Sequence, residues 1–144
     1  MTTGTRPVTQ PPPPARVRAL RAYSILNGLV LLGVVLQGLW AGGFIGHLDG
    51  AFWLQLHRFT AYTLVVLALA AAILAVRTQR RHRAITAGSA VLFVLVGVEA
   101  ELGHEIADGG AGALIAVHVP NALLIMGLAA YLATTAARAR RSGP

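Results

Sequence analysis

Phe52-Trp53-Leu54-Gln55-Leu56-His57-Arg58-Phe59-Thr60-Ala61-Tyr62 opens a long apolar segment, yet it carries a histidine and an arginine side by side about one turn inside. From Leu64 to Val76 the segment holds only Leu, Val, Ala and Ile. A run of this length and apolarity is a candidate membrane span. Ionisable side chains at membrane depth are costly, so they mark either a site or a paired structural contact. A second histidine, His118, stands at a similar place in the last apolar segment.

Working outward, the chain of 144 residues is 56% hydrophobic and 12% charged, and four apolar runs take up most of it. No room is left for a separate globular domain, so the expected fold is all-α, an integral membrane four-helix up-down bundle. The helices are expected at about 22–43, 52–76, 84–103 and 113–136. Residues 1–21 contain Pro7, Pro11 to Pro14, Arg6, Arg16 and Arg18. With no apparent apolar face, they are expected to form a disordered cytoplasmic tail. Residues 137–144 are expected to form a second, basic tail. The first apolar run exceeds the apolar core of a signal peptide and lacks a small-x-small cleavage site, which predicts a retained helix. With no cysteine in the chain, disulfides and thiolate sites are excluded.

The arginines set the expected topology. Net charge is +7, and all 12 basic residues are arginine. Four lie before or at the start of the first helix, four between the second and third, and three after the fourth, leaving only Arg58 elsewhere. The positive-inside rule then puts both termini and the middle connection in the cytoplasm, N-in and C-in. Basic charge placed this way points to a lipid bilayer as partner, with no nucleic acid, and to a multi-pass protein of the plasma membrane. Asp49, Glu99, Glu101, Glu105 and Asp108 fall at or near the opposite face, together with His57, Arg58, His104 and His118. The cytoplasmic half is expected to hold almost nothing but Ala, Leu, Val and Ile.

Depth brings the two histidines together. The second and fourth helices enter from the same side, and each histidine lies about five residues in. At a rise of about 1.5 Å per residue the imidazoles share one level. In an up-down bundle these two helices are diagonal across the core, where bundles hold cofactors between facing helices. Two neutral imidazoles so placed suit the axial positions of a haem iron. Each alone equally suits a hydrogen bond to a neighbouring helix. The faces running on from them, Thr60, Ala61, Leu64, Ala68 and Ala71 on one side and Asn121, Ala122, Ile125 and Ala129 on the other, are mostly small or apolar. Arg58 is expected to meet either a haem propionate or Glu101.

Three further features have structural readings. Gly38, Gly42 and Gly46 recur every four residues, a spacing that lets another helix or a flat ligand come close, with helix packing the expected use. Gln37 is expected to hydrogen-bond to a neighbouring helix. Glu101 and His104 share one helix face at the polar rim, where a metal site with His47 is conceivable. This single Glu-x-x-His unit falls short of the two that di-iron bundles use. His47 is expected to be a solvated loop residue and His82 a cytoplasmic one.

Leu56-His57-Arg58, then Glu99-Ala100-Glu101-Leu102-Gly103, then Ala116-Val117-His118 with Asn121-Ala122-Leu123-Leu124, together resemble one four-helix half of haem A synthase across about residues 22 to 136. The chain is also similar to small four-helix membrane proteins of actinobacteria that carry this half alone. The resemblance implies a haem site at the outer side, with one histidine from the second helix and one from the fourth. The family's glutamate three residues before the first histidine is replaced by Leu54, and the family enzyme has eight helices where this chain has four. The resemblance therefore implies binding rather than haem A synthesis, with a homodimer as one way to restore two halves.

The functional expectation is a small membrane protein holding haem b between His57 and His118 as axial ligands, with Arg58 beside it. It would serve electron transfer to a membrane redox partner, or haem handling. The alternative is a non-catalytic scaffold or accessory protein whose polar cluster only packs helices. A transporter using Arg58, Glu99, Glu101 and His104 ranks last, since no polar path continues toward the cytoplasm.

Overall fold

The computed structural model describes residues 14–80, 82–109 and 112–141. Four long helices account for nearly all of them: α1 (Pro14–Ile45), α2 (Gly50–Thr78), α3 (Arg83–Ala107) and α4 (Ile115–Arg141). A single 3-10 turn, Gly112–Leu114, leads into α4. Among the described residues there is no strand. Each helix packs on its neighbours in a square: α1 and α3 each touch α2 and α4, while the diagonal pairs α1–α3 and α2–α4 make no backbone contact. All four are long and apolar enough to cross a membrane.

The core is a column of small and branched side chains. At mid-height Val30, Leu64, Ala68, Leu92, Val96, Ile125, Ala129 and Leu132 meet, and toward the arginine-rich end Leu20, Tyr23, Ala71, Ala75, Ile85 and Ala136 continue the column. Alanine and glycine at these contacts let helix backbones approach closely. The outer surface is just as apolar: Phe59 is 71% exposed, Val66 65% and Leu124 62%. A helix that is hydrophobic all round fits a membrane span far better than a water-facing one.

Helix α1 begins at Pro14, well before the expected start at Ala22, so residues 14–21 are helical and not a disordered tail. Proline is tolerated in a first turn because its missing N–H would have no intrahelical partner. Leu20, Tyr23, Asn27 and Val30 recur at three- and four-residue spacing and are all buried, so the inward face of α1 reaches back to Leu20 in the segment expected to be a tail. The expectation for residues 1–13 lies outside the described residues. Residues 137–141 likewise continue α4, and α3 extends beyond Gly103 to Ala107. Helix α4 runs through Pro120 without interruption.

The connections are short and locally determined. Asp49 caps α2 by accepting a hydrogen bond from the Phe52 N–H at 3.3 Å. His47 adopts a positive φ of 56° in the same turn and is exposed.

The arginine-rich half is more polar than expected. Tyr23 and Ser89 hydrogen-bond through their hydroxyls at 2.6 Å, and Ser89 also bonds the Ile85 carbonyl at 2.6 Å. Ser89 has one proton, and the carbonyl can only accept it, so Tyr23 donates to Ser89. Asn27 and Gln79 are buried nearby at 0% and 2% exposure. The His82 Nε2 accepts a hydrogen bond from Arg16 at 2.9 Å. These residues are scattered singly through apolar sequence, so only the fold shows that they meet.

Candidate functional site

The His-bearing end of the bundle holds a cavity of about 480 Å³. That volume falls within the range of sites for small molecules and cofactors. All four helices line it, with Gln37 and Gly38 from α1, His57 and Arg58 from α2, Glu99 and Gly103 from α3, and His118 and Ala122 from α4. Val35, Tyr62 and Leu123 also line it and remain more than half exposed, so the cavity reaches the flanks of the bundle.

Two imidazoles face each other there. The His57 and His118 ring centroids are 6.5 Å apart and the ring planes are inclined by 51°. Their helices sit on a diagonal, so the side chains alone span the gap. The His57 Nδ1 donates to the main-chain carbonyl of Gln37 at 3.2 Å, and the Phe44 ring stands nearly perpendicular to the imidazole with centroids 5.4 Å apart. The His118 Nδ1 lies 3.2 Å from Glu99 Oε1. That separation is within ion-pair range, but its angle falls outside that of a formed hydrogen bond, leaving this buried nitrogen formally unpartnered. Neither Nε2 makes a hydrogen bond to a described residue, so both rings keep a free nitrogen.

A supporting shell fixes His118. Asn121, one turn further along α4, donates to Glu99 Oε2 at 2.7 Å and to the Leu95 carbonyl at 3.1 Å. Gly103 makes room for the ring: a Cβ there would sit 3.2 Å from His118 Cε1. Glu99 and Gly103 are four residues apart and share one face of α3. Nothing in the spacing along the chain links either residue to His118, because the link runs between two helices.

The remaining candidates fall at the rim. Arg58 pairs with Asp108 at 2.6 Å, not with Glu101. Glu101 is exposed, since it lies two residues from the inward-facing Glu99 and so points away from the core. His104 lines the cavity and approaches the same Asp108 carboxylate at 3.5 Å. Glu101 and His104 are thus both exposed at the rim, with His104 nearest Asp108. Among the described residues, no three His, Asp or Glu side chains converge as a metal-chelating set.

No family model, curated protein or solved structure matches the chain.

The glycine and glutamine expectations are also revised. Gly38 and Gly42 have open space where a side chain would be, while a Cβ at Gly33 would collide with Leu64 and one at Gly43 with Trp53. Within α1 the glycines packed by a neighbouring helix are thus Gly33 and Gly43, and Gly38 opens onto the cavity. Gln37 bonds the neighbouring helix through its backbone carbonyl, while its side-chain oxygen is buried without a partner. Trp40 supplies a further cross-helix bond, donating to Thr60 Oγ1 at 3.1 Å.

Proposed function

We propose that this chain is a multi-pass plasma-membrane protein, N-in and C-in, that holds haem b between His57 and His118 near the outer face. Its role is one-electron transfer or haem handling, and binding rather than catalysis. The observation that carries this reading is the pair of facing imidazoles, each with Nδ1 directed at an acceptor and Nε2 free. Histidines that ligate metals characteristically donate the other ring N–H to a carbonyl or carboxylate. With metal–imidazole bonds of roughly 2 Å, a single ion between two rings separates their centroids by about 6 Å, in keeping with the 6.5 Å seen here.

The donor set favours a macrocycle over a bare ion. Two imidazoles leave most positions of an octahedral iron open, and a porphyrin fills them with its own nitrogens. The cavity walls are mostly apolar or small, as a flat hydrophobic ring requires, and Arg58, which lines the cavity at the rim, would exchange its present partner Asp108 for a propionate. Bound haem would supply a reversible ferric–ferrous couple. The chain's own residues would fix the two imidazoles, exclude water and set the charge around them.

Absorption spectra of the detergent-purified protein, oxidised and reduced, test the proposal. A Soret band that shifts on reduction and is lost in the H57A/H118A variant is expected. Absence of the band after expression with ample haem, or its persistence in the double variant, would overturn the reading. The scaffold alternative draws support from the cross-helix bond of His57 to Gln37, and it predicts haem-free protein whose assembly tolerates His118→Gln.

A further inference from the structure

The two imidazoles are not equivalent. His57 directs its Nδ1 to a neutral main-chain carbonyl, that of Gln37 at 3.2 Å. His118 directs its Nδ1 to a carboxylate, that of Glu99 at 3.2 Å. The Glu99 side chain is only 16% exposed and that of His118 21%. Among the described residues no arginine reaches Glu99, and the one group within ion-pair range is His118 itself: the other Glu99 oxygen takes a neutral amide hydrogen from Asn121, and Arg58 is engaged by Asp108. A buried carboxylate held by an asparagine and aimed at one of two facing imidazoles is more than helix packing needs. Asn121 could satisfy Leu95 without it, and an uncompensated charge in an apolar bundle is expensive.

We propose that Glu99 is a positioning residue that makes His118 the stronger donor of the two imidazoles and holds the reduction potential of the bound haem low. This rests on the haem-binding reading above. A carboxylate accepting the Nδ1–H gives the ring partial imidazolate character and raises its strength as a donor through Nε2. Stronger donation, and a negative charge close by, both favour ferric over ferrous iron, since reduction adds one electron and makes or breaks no bond. Second-shell hydrogen bonding and charge are among the protein's principal means of setting such potentials. The His57 side carries no equivalent charge, so the bias comes from α3 alone.

The test uses the full chain in detergent, loaded with haemin, and compares wild type, E99Q and E101Q by redox titration and resonance Raman spectroscopy. E99Q keeps the shape and an acceptor but removes the charge. E101Q removes the same charge two residues away, from an exposed position. The expected result is a Soret band in all three, a midpoint potential raised in E99Q and unmoved in E101Q, and weaker iron–imidazole bonding in E99Q. An E99Q potential equal to that of E101Q, with the Soret band retained, overturns the proposal and leaves haem binding intact. No Soret band in wild type overturns the haem-binding reading, and this proposal with it. If E99Q does not assemble, E99D decides: withdrawing the carboxylate by one methylene should also raise the potential, and an unchanged value overturns the proposal.

Discussion

Gly103 on α3 lies directly against the imidazole edge of His118 on α4, with space for a hydrogen but not comfortably for a methyl group: a Cβ would stand 3.2 Å from Cε1. This contact, with the Glu99 carboxylate one turn away on the same face, fixes where the ring can sit. It also separates two properties that substitutions usually change together.

Gly103→Ala should leave the fold as stable as before or more so, since alanine is favoured over glycine inside a helix by about 1 kcal/mol. Displacing His118 from its preferred rotamer costs roughly 0.5–1.5 kcal/mol, so haem affinity should fall by roughly 2- to 10-fold. Haemin titration alongside unfolding in mixed detergent micelles measures both. Equal affinity in the variant would show that the ring has slack the geometry does not suggest.

At the other end of the bundle, Tyr23 and Ser89 form a polar bridge between α1 and α3, whose backbones do not touch. Interhelical hydrogen bonds of this kind contribute on the order of 0.6 kcal/mol in membrane proteins. Y23F and S89A should each destabilise the bundle modestly, and the double variant should lose less than their sum. The Soret band should be unaffected, because the core layer of Val30, Leu64, Leu92 and Val96 lies between this bridge and the cavity. Strict additivity in the double-mutant cycle would mean that the two hydroxyls contribute independently.

Orientation in the bilayer can be read with reporters. The arginine distribution leads us to expect an active alkaline phosphatase fused in the connection at Leu48 and a fluorescent green fluorescent protein at Pro144. The opposite pattern would invert the topology and put the histidine-bearing end in the cytoplasm.

Several tertiary partners differ from those the sequence suggests, and the differences have one origin. Arg58 and Glu101 looked like natural partners by depth, yet Arg58 meets Asp108. Glu101 is turned outward because its neighbour on the alternate side, Glu99, is turned in. Depth along a helix follows from counting residues; azimuth around it does not. In soluble helices an apolar stripe supplies the azimuth, but these helices are apolar on every side, and exposed residues such as Phe59 and Val66 resemble buried ones such as Leu64.

The sequence by itself determined the number of long helices, their order, the segregation of arginine from acidic residues, and the common level of His57 and His118. Those follow from local hydropathy and from the constant rise per residue, neither of which depends on neighbours. The tertiary structure decided which faces turn inward. It set Glu99 and Asn121 behind His118, gave Gly33 and Gly43 the packing contacts expected of Gly38 and Gly42, and recruited residues 14–21 into α1 by burying Leu20 and Tyr23. Each of these depends on how four nearly featureless cylinders rotate against one another. That rotation is settled by the fit of side chains from distant parts of the chain.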